Sequence, residues 1–225
     1  MTTQRNLDFQ RFLIRWEGNT NAIVGESAES TYSRAMPFAF SNHPNDTGGT
    51  TMMGVTMRVF RVWRTSICHL PQPTLEDLRM MQYTEWEAIL RYLYWEPLHA
   101  DTLPFDCYAL ALADWYWHSG TAAVCQAQRL LGVEEDGIIG RKTINAAKRL
   151  MSTRERARMM SVQLTETRRR WLADLVARRP SQTVFARGWD NRLDALVALV
   201  PSLDLTPEER AEPQITQIKQ IPSSL

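Results

Sequence analysis

Apolar residues recur at helical spacing along most of this chain, and a single long stretch near the N-terminus interrupts the pattern. The stripe before Gly18 has the spacing i, i+3, i+4 and i+7 and consists of Phe9, Phe12, Leu13 and Trp16. Similar spacing predicts further helices over 85–95, 106–118, 121–131, 141–150, 153–178 and 182–200. Strand-like alternation is nearly absent, so we expect an all-α, or nearly all-α, fold.

Residues 19–58 lack this spacing and are rich in turn-forming residues. The segment 40–56 reads FSNHPNDTGGTTMMGVT and contains Pro44, Asp46, Gly48 and Gly49. The composition predicts a long polar loop or a short hairpin. Because long structureless loops inside compact domains tend to be functional, we expect chemistry in this region.

Glu17 is the candidate acid at the end of the first predicted helix. It follows Trp16 and lies at the edge of the apolar stripe, so we expect its carboxyl to be partly desolvated, with a raised pKa. A protonated carboxyl of this kind can donate a proton to a leaving glycosidic oxygen. The competing interpretation is a solvated surface charge at a helix end.

Asp46 and Thr51 are the candidate partners of that acid. Glycoside hydrolysis needs a group opposite the acid that activates water or stabilises the positively charged sugar, and an aspartate beside a threonine hydroxyl is suited to this. The competing interpretation is that Asp46 is simply a turn or cap residue.

The sequence WEGN at 16–19, together with the segment 40–56, resembles the signature of glycoside hydrolase family 108, the phage-type N-acetylmuramidases. The resemblance implies a lysozyme-like helical fold and a catalytic role for Glu17 as the acid, with Asp46 and Thr51 on the opposite face of the sugar. The loop also supplies four candidate substrate-binding residues, Asn42, His43, Gly48 and Gly49.

Two features depart from that signature. Asn19 and Phe40 replace a glycine and a tyrosine, and residues 20–39 are inserted between the two halves of the motif. The insertion could cover the cleft as a lid, and its carboxylates Glu26 and Glu29 are alternative catalytic candidates.

The C-terminal half resembles a peptidoglycan-binding segment. The similarity lies in AQRLLGVEEDGIIGRKT at 127–143. Trp115, Trp117 and His118 are candidates for stacking on sugar rings, although core packing is the alternative for the tryptophans. We therefore predict a catalytic part at 1–102, a helical wall-binding part at 103–200 and an extended tail at 201–225.

Charge and composition narrow the function classes. The net charge of +1 gives no general case for nucleic acid, and the arginine cluster over 154–179 is interpreted as a solvated helix face or as a patch attracted to anionic wall polymers. No metal site or cofactor is predicted from the three cysteines, which we expect to be free thiols.

The N-terminus does not resemble a signal peptide, and no apolar run is long enough for a membrane helix. We expect synthesis in the cytoplasm and action on the cell wall, in the periplasm or outside the cell, with a holin or a secretion system providing the route. The leading hypothesis is hydrolysis of peptidoglycan glycan strands. The alternatives are a wall-binding or secretion-accessory protein without activity and, third, a nucleic-acid-binding protein.

Overall fold

The computed structural model describes residues 3–42 and 49–205. Within these ranges the chain forms ten α-helices and three two-residue strands. The helices are α1 (Gln4–Glu17), α2 (Ala28–Ala35), α3 (Met57–Val62), α4 (Leu75–Arg79), α5 (Tyr83–Leu90), α6 (Asp106–Ser119), α7 (Thr121–Leu131), α8 (Arg141–Leu150), α9 (Arg154–Arg178) and α10 (Thr183–Leu199). The strands are β1 (Phe40–Ser41), β2 (Thr51–Met52) and β3 (Val55–Thr56).

The nearly all-α fold class is confirmed. Each helix predicted from apolar spacing is present, and the segment 85–95 is formed by α5 continued by a π-helical turn, Arg91–Trp95. The strands form one antiparallel sheet in the order β1-β2-β3, with Phe40 opposite Met52 and Thr51 opposite Thr56. The region expected to be a polar loop or a hairpin therefore contains a small sheet.

Helix α2 corrects the expectation that residues 19–58 lack helices. Ser27 caps its first turn by accepting from the backbone N–H of Ser30. Its buried face has helical spacing but consists of small or polar residues and one tyrosine, namely Ala28, Thr31, Tyr32 and Ala35. The helix packs against α1 and α5, so the insertion is a docked element rather than an open loop.

Helix α6 lies at the centre of the molecule. Nearly all of its residues are buried, as expected of a helix that is apolar on every side. It packs against α1, α7 and α9, and one continuous core of buried residues extends through both halves of the chain. The predicted division at residues 102–103 does not coincide with a break in this core.

No helix within the described ranges is both long enough and apolar enough to span a membrane.

Candidate active site

Glu17 is the last residue of α1, and its side chain is 17% exposed. The helix ends there because the chain turns at Gly18, whose N–H still donates to the carbonyl oxygen of Ile14. A Cβ at Gly18 would lie 2.6 Å from Cβ of Ala35 and 3.0 Å from Sδ of Met53. Only glycine fits between these neighbours, so Gly18 lets α2 and the sheet close around the end of α1.

The turn between β2 and β3 presses against the Glu17 carboxyl. Met53 and Gly54 both have positive φ, 47° and 75°, which is the signature of a two-residue type I′ hairpin turn. A Cβ at Gly54 would lie 2.8 Å from Oε2 of Glu17. Nε1 of Trp86 donates to the carbonyl oxygen of Met53 at 3.0 Å and fixes the turn in place.

Asn42 and Thr50 close the base of the loop between β1 and β2. The Thr50 hydroxyl donates to the side-chain oxygen of Asn42 at 2.9 Å, and both Asn42 and Gly49 are exposed. Thr51 is half-buried in β2, where it pairs with Ser41. Three of the predicted site residues lie outside the described residues, namely His43, Asp46 and Gly48.

Arg192 of α10 is the main charged partner of Glu17. Its Nη1 donates to Oε1 of Glu17 at 2.8 Å, across 175 residues of sequence. Its guanidinium also lies over the rings of Phe12 and Trp16, 5.4 and 5.9 Å from their centroids. A charge-assisted contact with little access to water is a strong one, so α10 holds the end of α1.

A second carboxylate, Asp114 in the middle of α6, holds Arg192 from behind. Nη2 of Arg192 donates to Oδ1 of Asp114 at 2.5 Å, and Nη1 of Arg168 donates to Oδ2 at 2.6 Å. Asp114 is fully buried, and both arginines are at most 5% exposed. Two carboxylates and two guanidiniums thus lie together. We call them the charge network; its members are Glu17, Asp114, Arg168 and Arg192. Buried charges are tolerated when they are paired in this way.

The charge network sets the protonation state of Glu17. Burial raises the pKa of Glu17, but Arg192 and, to a smaller extent, His118 outweigh burial and lower it to about 2. Burial likewise raises the pKa of Asp114, and Arg192 and Arg168 bring it below its ordinary value. The expectation of a raised Glu17 pKa is therefore wrong for this state, because the sequence did not reveal the arginine. Glu17 is ionised at neutral pH here.

His118 lies at the exposed side of the charge network. Its Nε2 is 3.5 Å from Oε1 of Glu17, while Nη2 of Arg168 lies 3.1 Å from Nδ1. Nδ1 also lies 2.9 Å from the carbonyl oxygen of Asp114. It therefore has a group that can only donate, the Arg168 guanidinium, and a group that can only accept, the carbonyl oxygen, within hydrogen-bond distance, and the tautomer of the ring decides which of the two it bonds.

Two models of known protein families match consecutive parts of the chain. Residues 12–120 match the family model described as Glycosyl hydrolase 108. The chain thus contains a glycosyl hydrolase 108 region. Residues 122–194 match a second family model, described as Predicted Peptidoglycan domain. Together the two matches support hydrolysis of peptidoglycan in general.

The fold of the chain is also similar to a solved structure, that of SagA from Brucella abortus. The TM-score is 0.63 and the sequence identity 26%, and the match covers 79% of this chain and 98% of that chain. None of the curated proteins is detectably similar in sequence.

The structure corrects the expectation that Trp115 and Trp117 of α6 stack on sugar rings. Trp115 is 0% exposed and Trp117 is 9% exposed, so both pack in the core. The Trp117 ring lies 4.4 Å from the ring of Tyr94, and Trp115 contacts Trp171 edge-on. Neither ring has an open face for a sugar. His118, one residue on, has a side chain that is 31% exposed.

The conspicuous polar residues of the 127–143 segment are engaged in internal hydrogen bonds. Nε2 of the buried Gln128 donates to Oδ1 of Asp136 at 2.6 Å and to the carbonyl oxygen of Ile138 at 3.0 Å. Oε1 of Gln128 accepts from the N–H of Gly137 at 2.9 Å. These contacts fix the turn between α7 and α8, so the motif has a structural role as well as any role in binding.

The alternative acid Glu26 and parts of the arginine cluster over 154–179 are engaged in contacts within the protein. Glu26 accepts from Arg34 at 2.7 Å and from the backbone N–H of Ile23 at 3.0 Å, so it organises the inserted segment. The hydrogen bond from Arg34 is the main reason that the pKa of Glu26 is below its ordinary value. Within the arginine cluster, Arg168 is buried in the charge network and Arg169 bridges to α10, which divides the predicted basic face.

Arg192 and Asp114 are two residues next to Glu17 that the sequence analysis did not identify. Both are charged residues on apolar helix faces: Asp114 is surrounded by ALALADWYW in α6, and Arg192 precedes Leu193 in α10. Charged residues are almost never fully buried unless they are paired, so these positions were a signal that two buried charges meet. The sequence does not state which charge meets which.

Proposed function

We propose that this chain is a muramidase, which hydrolyses the β-1,4 bond between N-acetylmuramic acid and N-acetylglucosamine in peptidoglycan. The observation that carries the proposal is the position of Glu17. It lies at a helix end, its carboxyl is enclosed by Gly54, His118 and Arg192, and its side chain as a whole keeps 17% exposure. A single enclosed carboxyl that solvent can still reach is suited to proton transfer to a glycosidic oxygen.

The partners of Glu17 in this proposal are Asp46 and Thr51. Thr51 is placed by the β1-β2-β3 sheet, three residues before the Gly54 that contacts Glu17. Asp46 belongs to the segment whose two ends are joined by the hydrogen bond between Thr50 and Asn42. In this arrangement Glu17 protonates the leaving oxygen, and Asp46, helped by Thr51, activates water or stabilises the positively charged sugar. Asn42 and Gly49, exposed at the same loop, would contact the glycan.

The anomeric form of the product depends on the separation of the two carboxyls. A separation of about 5 Å gives retention of configuration, and about 6.5–9.5 Å leaves space for water and gives inversion. NMR spectroscopy of the first product formed therefore reports the Glu17–Asp46 separation during the reaction.

Replacement of the acid is the direct test of the proposal. Glu17→Gln keeps the size of the side chain but removes the transferable proton, so we expect the release of reducing ends from purified peptidoglycan to fall by about 10²- to 10⁴-fold. Glu29→Gln is the matched control, since Glu29 is an exposed carboxylate on α2 and an alternative candidate acid. Equal activity of Glu17→Gln and wild type would disprove the proposal.

A second candidate function, recognition of peptidoglycan without cleavage, is favoured by the ion pair itself. A carboxyl that Arg192 keeps ionised at neutral pH cannot donate a proton in that state. Wall binding by the wild type with no release of reducing ends would support this second function. Release of reducing ends that depends on Glu17 would exclude it.

A further inference from the structure

The region matched as a peptidoglycan domain reaches the candidate acid directly. Its match ends at residue 194, and Arg192 lies inside it. The Nη1 of Arg192 donates to Oε1 of Glu17 at 2.8 Å, whereas Glu17 lies in the region matched as Glycosyl hydrolase 108. A segment that served only to hold the enzyme on its substrate would have no need to contact the catalytic carboxyl.

We propose that Arg192 of α10 is a positioning residue for Glu17, and that the C-terminal region therefore completes the active site rather than acting only as a wall anchor. This inference rests on the proposed muramidase function. The groups that face Glu17 are Arg192 from α10 and His118 from α6, with Arg168 of α9 and Asp114 of α6 behind them.

The geometry of Arg192 is fixed on several sides. Nε and Nη2 are directed at the Asp114 carboxylate, and the guanidinium lies over the rings of Phe12 and Trp16. That leaves Nη1 directed at Glu17. Because Asp114 is fully buried in the central helix α6, it holds the arginine rigidly. A planar guanidinium held in this way fixes the orientation of its partner carboxylate, which a flexible ammonium group would not do.

The contacts also distinguish the two oxygens of Glu17. Arg192 and His118 both approach Oε1, while Oε2 lies against Gly54. Oε2 is therefore the oxygen left to meet a glycosidic oxygen. With Oε1 held, the orientation of Oε2 relative to the cleft is determined by α10.

Charge balance connects this geometry to proton transfer. The two carboxylates and two guanidiniums of the charge network compensate each other. Removal of Arg192 leaves one negative charge in excess, and Asp114 retains Arg168 as a partner. The excess is relieved most easily at Glu17, which is the less buried carboxylate and can take up a proton. Glu17 should then keep its proton to higher pH.

The test compares pH–rate profiles of Arg192→Gln, Arg192→Lys and wild type on purified peptidoglycan. Activity requires protonated Glu17, so it declines as pH rises through the pKa of Glu17. The pKa of Glu17 is about 2 in the wild type, and for Arg192→Gln we expect this alkaline decline of kcat/KM to move up by about one pH unit or more. After correction for the fraction of Glu17 that is protonated, we expect kcat to fall at least about tenfold because the orientation of the carboxyl is lost. Arg192→Lys should lie between the two, and added guanidinium should partly restore kcat of Arg192→Gln.

Arg169→Gln is the matched control. Arg169 also links α9 to α10, through Asp190 and Asp194, but it is not part of the charge network. Its loss should leave the alkaline decline where it is in wild type. If Arg192→Gln does not fold, the Glu17 side-chain carbon is titrated by NMR in Arg192→Lys, where a raised pKa is expected.

The outcomes separate this inference from the proposed function. An unchanged alkaline decline and an unchanged Glu17 titration in the Arg192 variants would overturn the inference, and so would weakened wall binding with an unchanged pH profile. Glu17-dependent hydrolysis by the wild type would leave the proposed function intact in either case. If the wild type releases no reducing ends, the proposed function itself fails, and the NMR titration then decides whether Arg192 controls the Glu17 carboxyl.

Discussion

At the scale of single residues, Glu17 combines two opposing influences on one carboxyl. Burial next to the apolar end of α1 disfavours its charge, and Arg192 favours it. The effect of burial could be predicted from the sequence, because Glu17 follows an apolar stripe. The effect of Arg192 could not, because Arg192 is 175 residues away along the chain. The position of Glu17 as a candidate acid could thus be predicted, whereas its ionisation could not.

The lowered pKa predicts a stability that depends on pH. The pKa of Glu17 is about 2 in the folded protein, against 4.5 for an ordinary glutamate side chain, so its contribution to the free energy of unfolding is fully present above about pH 4.5 and is lost as pH falls towards 2. The difference corresponds to about 3 kcal/mol. Urea unfolding of wild type and Glu17→Gln at pH 7 and pH 3 measures it. We expect stability to fall less between these pH values in Glu17→Gln, and an equal fall in both proteins would contradict the assignment.

At the scale of elements, helices with several large apolar side chains at helical spacing could be predicted, and helix α2 and the strands could not. Helices α6 to α10 have ten or more residues with clear apolar spacing, which made them recognisable. Helix α2 has eight residues, and Tyr32 is the one large side chain on a buried face that otherwise consists of alanine and threonine. The strands have two residues each, too few to show alternation. Tertiary contacts, such as that of Ala35 with Gly18, stabilise these short elements.

The β2–β3 turn provides a prediction at this scale. In Gly54→Ala the new methyl group would meet the Glu17 carboxyl and the residue would have to keep a φ of 75°, so we expect both stability and hydrolysis to decrease. Backbone strain of this kind costs about 1–3 kcal/mol. The matched control is Gly132→Ala, at a φ of 68° with open space around it. It should lose stability but keep its activity on peptidoglycan. Loss of activity to the same extent in both variants would show that the contact with Glu17 is irrelevant.

At the scale of the whole molecule, two family regions share one core. Helix α6 belongs to the first region and packs against α9 of the second, and α10 returns to the end of α1. The sequence suggested a catalytic part and a binding part from their separate motifs. Motifs are local, however, and the contacts that join the parts connect residues far apart in the chain, so the shared core could not be predicted from them.

This shared core predicts cooperative unfolding. Because one continuous core of buried residues joins the two regions in the described part of the chain, we expect a single transition in urea, with circular dichroism and tryptophan fluorescence giving the same midpoint. Two separate transitions would instead indicate that the C-terminal region is an independent domain, as the sequence motifs alone suggest.

The most direct test of the central claim is the identity of the sugar at the new reducing ends. Purified peptidoglycan is digested with wild type, Glu17→Gln and Glu29→Gln, the products are reduced with borohydride, and they are identified by mass spectrometry. We expect reduced N-acetylmuramic acid from wild type and Glu29→Gln, and almost none from Glu17→Gln. Reduced N-acetylglucosamine, products without a reducible end, or equal release by Glu17→Gln would contradict the account.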